Sequence, residues 1–119
     1  MIFINLTNHP SKNWGEKQIE EALKMGEYII DIPFPNVPPS SNEFKVKEMG
    51  DDLVQHILSY FDFKYILVQG EMSLATYIAF RLYQAGKIPV VATTERKVVE
   101  DGEKKISIFE FVRFRPYIF

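Results

Sequence analysis

The 119-residue chain contains no cysteine, which excludes disulfides, a thiol nucleophile and a thiolate-held metal. Only two histidines occur, His9 and His56, and their separation does not match the ligand spacing of a zinc site. No apolar run approaches the roughly 20 residues that span a bilayer, so no membrane association is expected. The apolar start, Met1 to Leu6, is too short for the core of a signal peptide, and the expected location is the cytoplasm. An excess of positive charge is also missing: 14 basic against 16 acidic residues give a net charge of −2, which argues against coating duplex nucleic acid. The sequence has no GxGxxG, no GxxxxGK[ST] and no Gly-x-Ser-x-Gly, so a dinucleotide fingerprint, a P-loop and a nucleophile elbow are not supported.

What remains is ordinary for one globular domain: 46% hydrophobic and 25% charged residues over a length that leaves little room for a second domain. Met1–Leu6 reads as a buried strand, Thr7–Asn13 as a polar loop, and Trp14–Met25 as a helix capped by Ser11 or Asn13 and ended by Gly26. Glu27–Ile32 is a second strand. Four of the nine residues from Pro33 to Ser41 are proline, which predicts a stiff extended connection. Val46, Met49, Leu53 and Ile57 recur at helical spacing within a second helix, Asn42–Phe61, where Asp51, Asp52 and His56 read as a solvated face. Tyr65–Val68 has the pattern of a central parallel strand, Met72–Ala85 of a third helix ended by Gly86, and Ile88–Ala92 of a fourth strand. Arg96–Glu100 and Lys104–Val112 flank Asp101-Gly102, a strong hairpin signal. The expected fold is α/β: a parallel sheet of four strands in the order 2-1-3-4, helices on both faces, and a C-terminal β-hairpin.

In such a sheet ligands bind at the carboxyl ends of the strands, where the strand order reverses. That point lies between strands 1 and 3. The loops meeting there are Thr7–Asn13 and Gln69–Ser73, with Thr93–Arg96 beside them. Gly70 would let a backbone approach a ligand, and the first-turn N–H groups up to Ser73 would favour an anion. The same segment also reads as ordinary turn chemistry, with Glu71 favourable against the helix dipole. His9 could act as acid or base, or bond a neighbouring backbone group. Trp14 could stack on a base or pack under its own loop. Arg96 could clamp a phosphate or stand as a surface charge on the hairpin. Nothing in the pattern calls for a metal or other cofactor.

The stretches Asn5-Leu-Thr-Asn-His-Pro-Ser11, Leu67-Val-Gln-Gly-Glu71, Ile88-Pro-Val-Val-Ala-Thr-Thr-Glu-Arg96 and Phe111-Val-Arg-Phe-Arg115 run through nearly the whole chain. In order and spacing they resemble the small Rossmann-like (CARF-like) CRISPR-associated proteins of type III systems that bind or degrade cyclic oligoadenylates. That resemblance implies a homodimer holding a cyclic oligoadenylate, cyclic tetra-adenylate foremost, across its two-fold axis. It implies a ring nuclease that works without a metal: a ribose 2′-hydroxyl attacks the adjacent phosphorus and leaves a 2′,3′-cyclic phosphate, switching off the antiviral signal. His9 is then the candidate for proton transfer, and Asn8, Ser11, Gln69, Gly70, Glu71, Ser73, Thr93, Thr94 and Arg96 the candidates for ligand binding. Two other readings share the residues: a protein that binds the ring without turnover, and a generic nucleotide-binding or scaffold module.

Overall fold

A computed structural model describes residues 1–119. The chain alternates strands and helices: β1 (Ile2–Leu6), α1 (Glu16–Leu23), β2 (Ile29–Ile32), α2 (Glu43–Tyr60), β3 (Phe63–Val68), α3 (Met72–Gln84), β4 (Ile88–Asp101) and β5 (Lys104–Pro116). One five-stranded sheet has the order β2-β1-β3-β4-β5, parallel from β2 through β4 and antiparallel between β4 and β5. Two-residue alternation divides the buried side chains between two layers. Ile2, Ile4, Leu6, Ile66 and Val68 meet Val46, Val54 and Ile57 of α2 and Leu74, Ile78 and Leu82 of α3 on one face. Phe3, Leu67, Val90 and Phe114 meet Ala22 of α1 on the other, with Trp14 packed against them. All five residues of β1 are buried, as a strand covered on both faces must be.

The sequence reading needs one correction in architecture. The sheet is a five-stranded mixed one, not a four-stranded parallel sheet with a separate hairpin. Thr93–Arg96, expected as the end of strand 4, continues β4 without a break, so the parallel strand and the first hairpin strand are one 14-residue element. A β-bulge between Thr93 and Thr94, opposite Val112 of β5, bends the ladder there. Beyond it β4 and β5 run on as an arm to a two-residue turn, with Gly102 at φ +65 as the first central residue of a II′-type geometry demands. Arg96 to Phe109 are exposed throughout. The radius of gyration is 15.8 Å, against about 13.5 Å for a compact chain of this length, and the arm accounts for the excess.

The helix boundaries follow local chemistry. The Asn42 side chain accepts from the Lys45 N–H and starts α2. Gly86, at φ +84, ends α3 as expected, with its N–H on the Tyr83 carbonyl. Neither Ser11 nor Asn13 caps α1: both lie in a short 3₁₀ turn, and the N-cap position falls on Gly15. Asp51 is not a free surface charge. Its carboxylate takes Arg81 and the Tyr77 hydroxyl, joining α2 to α3. No helix is long and apolar enough to cross a membrane.

Candidate functional site

β1 ends in a polar knot. Asn5 is fully buried, and its two amide hydrogens go to the His9 carbonyl at 2.9 Å and to Asp31 Oδ1 at 2.9 Å. Its Oδ1 accepts from the Thr7 hydroxyl at 2.8 Å, and Thr7 Oγ1 in turn accepts from the His9 N–H at 3.0 Å. Asp31, at the end of β2, also takes the Ser11 hydroxyl at 2.9 Å and the Ser11 N–H. The Trp14 indole N–H reaches the His9 carbonyl at 3.0 Å while its ring lies against Phe3 and Phe114. Every hydrogen-bonding group of Asn5 is used, so the β1–α1 loop is held in one shape. The His9 backbone is fixed within it, and the His9 imidazole has no partner in the protein and faces a cleft.

That cleft, of about 950 Å³, opens at the carboxyl ends of β1 and β3 and beside the middle of β4, at Ala92 and Thr94. Asn8 and His9 line it from the first loop, Gln69 from the end of β3, and Thr94 from β4. The Gln69 Oε1 accepts from the Ala92 N–H at 3.1 Å, just past the last β3–β4 pair, which leaves its Nε2 without a protein acceptor. Residues Gly15 to Gln18 form another wall. Gly15 offers no side-chain cap, and the N–H groups of Glu16, Lys17 and Gln18 donate to nothing in the protein. The N-terminus of α1 therefore opens into the cleft with its first N–H groups free and Glu16 as the acidic residue of its first turn. Phe109 and Phe111, on the root of the arm, form the apolar side. Phe111 is fixed against Phe114, while Phe109 is 66% exposed.

The other expected binding residues sit elsewhere or are already engaged. Glu71 caps its own helix: its carboxylate accepts from the N–H groups of Ser73 and Leu74 and from the Ser73 hydroxyl. The Ser73 hydroxyl and these N–H groups hold the Glu71 carboxyl below the usual carboxylate range. The expected anion cradle at α3 is thus filled from within. The Phe34 ring covers Gly70, where a Cβ would overlap it, so the glycine admits a core side chain rather than a ligand. Ser11 is tied to Asp31. The Thr93 hydroxyl is bonded to the Arg113 backbone, and Arg96 lies out on the arm with its guanidinium on Ser107 Oγ. None of these last residues lines the cleft, whereas Asn8, His9, Gln69 and Thr94 converge on it.

Residues 1–115 match the model of a family described as "Uncharacterized protein MJ1673 family". The chain belongs to that family. No curated protein and no solved structure matched. The family model takes in the knot, the cleft and the arm, and ends just before Pro116 and the tail. In that tail the Tyr117 hydroxyl donates to the Val68 carbonyl at 2.6 Å and closes the end of β3, and burial pushes its phenol pKa up.

Two features had no sequence signal strong enough to single them out. The Asn5–Asp31 pairing joins residues 26 apart, which only the parallel β1–β2 register makes neighbours. The open α1 terminus depends on Gly15, rather than a capping side chain, standing at the helix start.

Proposed function

We propose that the chain is a Rossmann-like nucleotide-binding domain whose ligand is a cyclic oligoadenylate, held by a homodimer and opened as a ring nuclease. One observation carries this reading. The reversal point between β1 and β3 holds a cleft in which an unpaired imidazole, a free side-chain amide and three unpaired helix N–H groups converge. Its size, about 950 Å³, is at the upper end of small-molecule sites and has room for a nucleotide segment rather than a single small anion. Its charge is modest. Lys17 and Glu16 both border it, and the Glu110 carboxylate is turned to Lys97 at 2.9 Å. Such a site suits a ligand that is mostly base and ribose with few phosphates.

The chemistry follows from position. Asn8, Thr94 and the Gln69 amide would orient ribose and base. The Glu16–Gln18 N–H groups would take the phosphate oxygens, where negative charge grows as the 2′-hydroxyl attacks. The new P–O2′ bond forms as the P–O5′ bond breaks; the 2′-hydroxyl proton would leave to water, and His9 would give a proton to the departing 5′-oxygen. A ring with internal two-fold symmetry matches two identical clefts in an isologous pair.

The test is incubation of excess protein and chelator with cyclic tri-, tetra- and hexa-adenylate, with bound and cleaved ligand measured separately. Linear products ending in a 2′,3′-cyclic phosphate are expected. Binding without products would reduce the activity to ligand capture. Absence of both binding and products would contradict the reading.

A further inference from the structure

The root of the arm and the wall of the cleft are one surface. Directly paired residues of a ladder share a face, and that face recurs at every second residue. Thr94 pairs with Phe111 and Arg96 with Phe109, so these four stand on the face from which Thr94, Phe109 and Phe111 line the cleft. The two phenylalanines differ in what holds them. Phe111 lies 4.9 Å from Phe114, centroid to centroid, and packs against the layer that contains Phe3 and Val90. Phe109 belongs to neither core layer and is two-thirds exposed. No aromatic ring and no cation of the chain lies over it, and its cross-strand neighbour Arg96 keeps its guanidinium on Ser107 Oγ. The fold draws little from this ring, yet the ladder fixes its backbone at the edge of a polar cleft.

We infer that Phe109 is the stacking platform for a nucleobase bound in the cleft. The polar groups of the same cleft select that occupant. The Gln69 Oε1 is taken by the Ala92 N–H, so the amide offers the cleft only its two Nε2 hydrogens. A nucleobase meets both surfaces at once, with a flat π-face for Phe109 and in-plane acceptor nitrogens for Gln69. An apolar side chain or a lipid tail covers the ring and leaves the Gln69 donors unmet, at a cost. A lone anion meets the donors and leaves the ring in water. Stacking on an aromatic side chain is open to every base, so Phe109 supplies affinity while Gln69 supplies a preference for a base edge that accepts. The inference rests on the reading of the cleft as a nucleotide site, and it needs neither ring opening nor a two-fold pair.

Calorimetric titration of the full chain with cyclic tetra-adenylate and, separately, with adenosine monophosphate tests it. Wild type is compared with Phe109→Ala, Phe109→Leu and Phe109→Trp, read with whichever ligand binds. Circular dichroism and urea unfolding should match wild type in all three, because the ring is mostly exposed. Phe109→Ala should weaken binding by about 10- to 100-fold. Phe109→Leu keeps apolar bulk without a π-face and should still lose about 10-fold, whereas Phe109→Trp should stay within about threefold of wild type. The added indole should also be quenched by ligand beyond any change seen in wild type, whose only tryptophan is Trp14. Affinity unchanged in Phe109→Ala overturns the inference and leaves the proposed function standing. Full affinity in Phe109→Leu overturns it too, because apolar contact alone would then suffice. Adenosine monophosphate bound through Phe109, with no binding of cyclic tetra-adenylate, would support the base subsite and contradict the proposed function. Binding of neither ligand by wild type overturns both.

Discussion

Two helices begin at the same edge of the sheet, and their N-termini meet opposite fates. At α3 the Glu71 carboxylate occupies the first-turn N–H groups and Phe34 covers Gly70. At α1 the cap position is Gly15, and three N–H groups face the cleft unpaired. Both follow a strand and a polar loop, so topology alone does not distinguish them. The difference lies in what stands before the helix. A carboxylate there satisfies the helix and closes it to anions, whereas a glycine leaves the donors for a ligand or solvent. The polar knot of Asn5, Thr7 and Asp31 adds rigidity on the open side, which keeps His9 and the α1 terminus in fixed relation.

The largest expected effect falls on turnover at the open side. His9→Ala should slow ring opening by about 100-fold or more in single-turnover assays while changing affinity by less than about threefold. Loss of affinity at an unchanged rate would make His9 a binding residue only. Next comes the knot: Asn5→Ala takes one donor each from the Asp31 carboxylate and the His9 carbonyl, which keep their bonds from Ser11 and Trp14, and takes the acceptor from the buried Thr7 hydroxyl, and should cost about 1–3 kcal/mol in urea unfolding. The same variant should also weaken ligand binding, because the loop loosens.

On the closed side, Gly70→Ala should cost about 1–3 kcal/mol by forcing the Phe34 ring aside, read from the same unfolding curves. A neutral substitution would mean that Phe34 moves freely and that the α3 end is less sealed than the contact implies. The smallest effect is that of Glu71→Gln, which should lower the melting midpoint slightly and leave ligand affinity unchanged. Because the Glu71 pKa is depressed in the folded state, its stabilisation is complete above the usual carboxylate range and is lost as pH falls through the lowered value. The difference between wild type and Glu71→Gln should therefore shrink in acid. An improvement in ligand affinity on removing this charge would make α3 the anion site after all.

Much of the fold is legible in the sequence because its signals are local. Gly86, Asp101-Gly102 and the Val46–Ile57 stripe each mark an element with residues a few positions apart. The length of β4 is not, because Ile88–Ala92 and Arg96–Glu100 read as two strands with the polar strand end Thr93-Thr-Glu-Arg96 between them, and pairing with β5 makes them one. Of the site, the loops were legible and the donors were not. Glu71 could have met a ligand or its own helix, and the choice rests on side-chain geometry that spacing does not encode. Arg96 is a chemically apt phosphate ligand that the ladder carries out along the arm.

The central claim is that α1, not α3, presents the ligand site. Amide NMR spectra recorded while cyclic tetra-adenylate is added test it residue by residue. The largest shifts are expected at Glu16, Lys17, Gln18, Asn8, His9 and the Gln69 side-chain amide, with Ser73 and Leu74 unmoved. Shifts centred on Ser73 and Leu74, or none at any of these amides, would contradict it.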